Sequence, residues 1–155
     1  ADLEDARQAL SQLQPVAARL CPLVGINGAR LIDDSYNANP DTVVAALRVL
    51  AAAPGRRTLV LGDLAELGST AQQLHRQLGE RASAFAIDRL LTIGPLSRHA
   101  DAAFRGEHRH FDDRAALVEA LLDGLSADDS ILIKGSRAAR MDEVVSHLRQ
   151  QEAAC

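Results

Sequence analysis

Apolar residues along this chain fall into two rhythms. At four places they recur at near-helical spacing: Val43/Val44/Leu47/Leu50/Ala51, Ala71/Leu74/Leu78/Ala82/Phe85, Leu117/Val118/Leu121/Leu122/Leu125 and Met141/Val144/Val145/Leu148. Each set puts an apolar stripe on one side of a helix, and that stripe must be buried against another element. Between them lie short aliphatic runs bounded by turn residues, at 58–62 (TLVLG), 89–94 (RLLTIG) and 130–134 (SILIK), with a weaker one at 108–111 (HRHF). Such runs are the mark of strands buried on both faces. Upstream, apolar residues at 20–26 and 29–33 flank Asn27-Gly28. Asn-Gly between two such runs predicts an antiparallel hairpin. Residues 2–14 read as one further helix, stopped before Pro15.

Strand and helix in alternation predict an α/β class fold. The specific expectation is a Rossmann-like three-layer domain: a mostly parallel sheet of about six strands with right-handed crossovers, and one antiparallel edge strand from the hairpin. A chain of 155 residues suffices for one such domain without staples. Composition narrows the partners. There is no Trp, one Tyr (Tyr36) and three Phe, too few stacking platforms for a single-stranded nucleic-acid binder. The net charge of −4 is spread without a basic stripe, so neither nucleic acid nor an anionic membrane is an expected partner. No apolar run approaches a bilayer span. The segment ADLEDARQAL reads as an acidic amphipathic helix pattern, without the charged n-region and h-region expected of a signal peptide. Cys21 and Cys155 are far apart in sequence, which favours free thiols and a cytoplasmic location.

In an open parallel sheet, ligands bind beyond the carboxyl ends of the strands. Three strand ends here carry unusual polar sequence: 33–41 (DDSYNANPD), 62–68 (GDLAELG) and 134–140 (KGSRAAR). All three are expected on one edge. Asp34 can accept two hydrogen bonds from vicinal hydroxyls, Tyr36 offers a ring face, and Asn37 and Asn39 offer amides. Asn39-Pro40-Asp41 is also a complete helix start, which accounts for Asn39 structurally. Asp63 and Glu66 suit an ammonium group or support of their own loop, with Ser69 or Thr70 capping the next helix. Lys134, Arg137 and Arg140, near a helix start that Ser136 can cap, suit an anion or a pairing with Asp142 and Glu143. No complete phosphate loop of either standard kind is present. His108 and His110 alone make a weak metal pair.

DDSYNANPD, LVLGDLAELG (59–68) and ILIKGSRAARMDEVV (131–145) resemble, in order and spacing, the C-terminal domain of the Mur ligase family, and within it the ligases that join D-alanyl-D-alanine to UDP-N-acetylmuramoyl-tripeptide. Leu64 stands where that group often has Met, and Asp142 where Glu is common. The resemblance implies a linker helix at 1–18 leading from a central ATPase domain, and the C-terminal domain at 19–155. It implies an ATP- and Mg²⁺-dependent peptidoglycan-precursor ligase working through an acyl phosphate. Its partners would be the N-terminal and central domains, and the fragment alone would be inactive. Within this frame Arg19, Asp34, Tyr36, Asn37 and Asn39 are expected to face the nucleotide. Asp63, Glu66, Lys134, Ser136 and Arg137 are expected to face substrate or phosphate, with no metal ligand in this chain. Alternatives are a sister ligase of the Mur or folylpolyglutamate type, or a non-catalytic α/β binding module; a chain without an initiator Met favours an excised piece over the latter.

Overall fold

A computed structural model describes residues 17–150. The expected helix at 2–14, most of the linker at 1–18 and Cys155 lie outside the described residues. Six strands form one sheet: β1 (Cys21–Val24), β2 (Arg30–Asp34), β3 (Arg56–Gly62), β4 (Arg89–Ile93), β5 (Glu107–Phe111) and β6 (Asp129–Lys134). Their order is β1-β2-β6-β3-β4-β5. Only the β1–β2 pair is antiparallel. The α/β expectation therefore holds, including the hairpin edge. Asn27 (φ 60°) and Gly28 (φ 80°) both take the left-handed conformation that turns the hairpin. The turn consumes more chain than the apolar pattern suggests, so β1 ends at Val24 and not at residue 26.

Five helices accompany the strands: α1 (Pro40–Ala51), α2 (Ala71–Ala84), α3 (Arg98–Ala103), α4 (Arg114–Leu122) and α5 (Asp142–Leu148). The four periodic stripes correspond to α1, α2, α4 and α5. Six-residue α3 is too short to show a period, and sequence reading missed it. Helix α1 starts with a full capping box: Asn39 Oδ1 accepts from Thr42 N at 2.9 Å and Thr42 Oγ1 accepts from Asn39 N at 3.0 Å. Thr70 does not cap α2 with its side chain; its hydroxyl donates to the Leu67 carbonyl at 3.0 Å.

Successive strand residues face opposite ways, and the core divides accordingly. Val60, Leu91, Ile131 and Ile133 pack with Leu117 and Leu121 of α4 and Val144 and Leu148 of α5. Leu59, Leu61, Leu90 and Leu132 pack on the other side with α1, α2 and α3. Cys21 is wholly buried in the first of these cores. It is disulfide-bonded, which corrects the free-thiol expectation for this residue. Among the described residues, no helix is long and apolar enough to cross a membrane.

The strand order places the site. After β2 the chain crosses to β3 and leaves a gap that β6 fills at the end, so the carboxyl ends of β2, β6 and β3 stand side by side. Register pairs Asp34 with Lys134 and Lys134 with Leu61. The three polar segments converge as their position at strand ends predicts.

Candidate functional site

Two clefts open along this edge. The first, of about 400 Å³, is lined by Arg19, Asp34, Tyr36, Asn37, Asn39 and Lys134, among others. Its floor is an ion pair, Lys134 Nζ to Asp34 Oδ2 at 2.7 Å. The two side chains are 1% and 11% exposed, so each charge depends on the other. Lys134 also donates to the Asn37 carbonyl at 3.1 Å, and Leu20 N donates to Asp34 Oδ1 at 3.1 Å. Asp34 therefore braces two loops before it meets any ligand. A carboxylate still has acceptor capacity after two hydrogen bonds, whereas Lys134 retains one donor. Lys134 stands here as the counter-charge of Asp34, not as a free cation on the rim.

Above this floor, half-exposed Tyr36 has two guanidinium groups over its ring. Arg19 Cζ is 4.4 Å and Arg137 Cζ 5.8 Å from the ring centroid. Neither arginine pairs with a carboxylate among the described residues. Residues 118 positions apart in sequence thus meet over one ring, and nothing in the local pattern signals it. Asn37 Oδ1 accepts from the Ala38 amide at 2.8 Å. The Asn39 oxygen is spent on the cap of α1.

The second cleft, of about 410 Å³, runs between the ends of β3, β4 and β6 and includes Asp63, Gly94, Leu96, Arg114, Ser136 and Ala139 in its walls. Asp63 supports its neighbouring loop: its carboxylate accepts from Ser97 N at 2.7 Å and Leu96 N at 3.1 Å. Glu66 is exposed, on a left-handed turn (φ 61°). Ser136 is buried and caps no helix with its side chain; its amide donates to the Asp63 carbonyl at 2.9 Å. The pairing expected for the last loop is made by Arg140, at 3.4 Å from Asp142 and 3.2 Å from Glu143, while Arg137 turns to Tyr36. Arg114, absent from the sequence reading, contributes a 2.7 Å pair with Glu143 and a bond to the Ala139 carbonyl. His108 and His110 join no group of three or more potential metal ligands among the described residues.

Over residues 18–137 the sequence matches the family described as "Mur ligase, glutamate ligase domain". The chain belongs to this Mur ligase family. It is 43% identical over 152 residues to the UDP-N-acetylmuramoyl-tripeptide--D-alanyl-D-alanine ligase of Escherichia coli (strain K12), covering 97% of this chain and 33% of that protein. The fold superimposes on MurF from Acinetobacter baumannii with a TM-score of 0.83 at 30% identity, covering 94% of this chain and 33% of the other. The MurF ligase of Thermotoga maritima, solved in complex with ADP, gives 0.80 at 25% identity, over 95% and 33%. The chain spans about a third of the length of the relatives it matches.

Proposed function

We propose that this chain is the C-terminal domain of an ATP-dependent ligase that joins D-alanyl-D-alanine to UDP-N-acetylmuramoyl-tripeptide. The observation that carries the reading is the first cleft: an aromatic ring approached by two guanidinium groups that lack carboxylate partners among the described residues, over a buried carboxylate with acceptor capacity to spare. Relatives bearing that ligase name, and one of them solved with ADP, support it. Arg19 and Arg137 supply positive charge for the phosphates, Tyr36 and the Asn37 amide supply the wall, and Asp34 accepts from ribose hydroxyls. Asn39 contributes the start of α1 on which that wall stands.

In the reaction, the tripeptide's terminal carboxylate oxygen attacks the γ-phosphorus of ATP and ADP leaves. The amine of the dipeptide then attacks the acyl carbon, the carbon–oxygen bond to phosphate breaks, and the amine loses its proton. The second cleft, with Ser136 and small residues such as Ala138 and Ala139 in its wall, suits the incoming dipeptide. Mg²⁺ belongs with the ATPase domain. This rim is half of a site, completed when N-terminal and central domains close over it and exclude water. The isolated chain is therefore inactive. Use of ATP places the enzyme in the cytoplasm, where the Cys21 disulfide is an unusual feature.

The test is steady-state kinetics of the full-length ligase carrying Tyr36→Ala or Arg19→Ala. Each is expected to raise the KM for ATP by about tenfold, the loss of one cation–π or charge contact, and to leave the dipeptide KM within about twofold. An unchanged ATP dependence would refute the nucleotide assignment.

A further inference from the structure

Asp63 ties together three loops that are remote in sequence. Its carboxylate Oδ1 accepts from Ser97 N at 2.7 Å and from Leu96 N at 3.1 Å, and Oδ2 also accepts from Leu96 N at 3.1 Å, which fastens the loop after β4. Its main-chain oxygen accepts from Ser136 N at 2.9 Å, which fastens the loop after β6. Gly94 shows how closely the β4 loop wraps the carboxylate: a Cβ there would lie 2.5 Å from Asp63 Oδ1, and the residue's φ is +106°. These loops are walls of the second cleft.

The next peptide is held from beneath. Leu64 N donates to Nε2 of His75 at 3.0 Å, and Nδ1 of the same ring lies 2.7 Å from the Ala71 carbonyl. His75 is fully buried. A main-chain N–H on Nε2 requires that nitrogen to be the acceptor, so the proton sits on Nδ1 and both ring nitrogens are used. The loop after β3 is thus anchored on both sides of its first peptide before it turns at Glu66.

We propose that Asp63 is a positioning residue that sets the spacing of the three loops around the second cleft, and through it the affinity for the amine substrate. This rests on the dipeptide reading of the second cleft given above. The carboxylate takes the Leu96 amide with both oxygens, and an amide in its place sets an NH₂ donor 3.1 Å from Leu96 N at the Oδ2 position or, flipped, 2.7 Å from Ser97 N at the Oδ1 position.

Asp63→Asn keeps the size and removes that acceptor. In the full-length ligase it is expected to raise the KM for D-alanyl-D-alanine by at least about tenfold, the scale of a small misplacement in a binding wall, with the KM for ATP within about twofold. In the chain itself, amide hydrogen exchange at Leu96, Ser97 and Ser136 is expected to quicken together. His75→Gln loosens the same loop from its buried side and gives a second test should Asp63→Asn fold poorly; it should show the same split at smaller size. An unchanged dipeptide KM, or ATP and dipeptide values rising together, overturns the proposal. If full-length protein with Asp63 intact shows no ligation, the functional reading falls instead. The exchange measurement remains decisive, because a Ser136 amide indifferent to Asp63→Asn overturns the coupling between loops.

Discussion

The two ends of the sheet carry ion pairs of nearly equal length in very different surroundings. At the carboxyl end, Lys134 and Asp34 meet at 2.7 Å with side chains 1% and 11% exposed. At the amino end, Arg56 and Glu107 meet at 2.8 Å with side chains 42% and 62% exposed. Nearby Arg89 is held below the ordinary guanidinium range, first by burial and then by Arg56, with Glu107 and Asp129 pulling the other way. Length alone would rank the two pairs equal. Burial separates them: water screens the pair at the amino end, whereas the carboxyl-end pair has little but itself to replace lost hydration. The carboxyl end has thereby acquired a fixed polar floor on which a site can be built. The amino end keeps an exchangeable surface pair.

The sharpest way to break this contrast is Asp34→Ala. It strands Lys134 and is expected to cost about 3–5 kcal/mol, with most of the loss recovered when Lys134→Met is added. Chemical denaturation of the single and double variants measures both; a loss below about 1 kcal/mol for the single variant would mean that the pair behaves like a surface one. Asn39→Ala, one turn away on the same rim, should cost about 1 kcal/mol through the cap of α1. Asn39→Asp keeps the cap, so an ATP dependence unchanged by it in the full-length ligase would leave Asn39 with the helix start alone. Smallest of all, Glu107→Gln should shift stability by no more than about 1 kcal/mol, an effect that fades in about 1 M salt. Thermal unfolding at low and high salt reads it directly.

Much of the fold was legible because each element advertises itself locally. The aliphatic strands, four of the five described helices, the Asn27-Gly28 hairpin and the Asn39 cap follow from spacing and turn chemistry within a few residues. Helix α3 escaped because six residues cannot display a period. The candidate site was legible as a set of strand ends but not as a set of roles. Asp34 and Asp63 look alike in sequence, each an acid at the end of a strand. One neutralises a buried lysine, and the other gathers the amides of a neighbouring loop. Arg114 carried no signal at all; a helix-start arginine becomes part of a cleft wall only once Glu143 and Ala139 are brought to it.

The sequence by itself determined the class of fold, the edge on which chemistry gathers and the family resemblance carried by DDSYNANPD, because all three depend on residue type and near-neighbour spacing. Only the tertiary structure decided which polar groups remain for a ligand. That depends on partners about 100 positions away, such as Lys134 for Asp34 or Arg137 for Tyr36. The insertion of β6 between β2 and β3 brings those partners within reach, and burial then makes their hydrogen bonds obligatory.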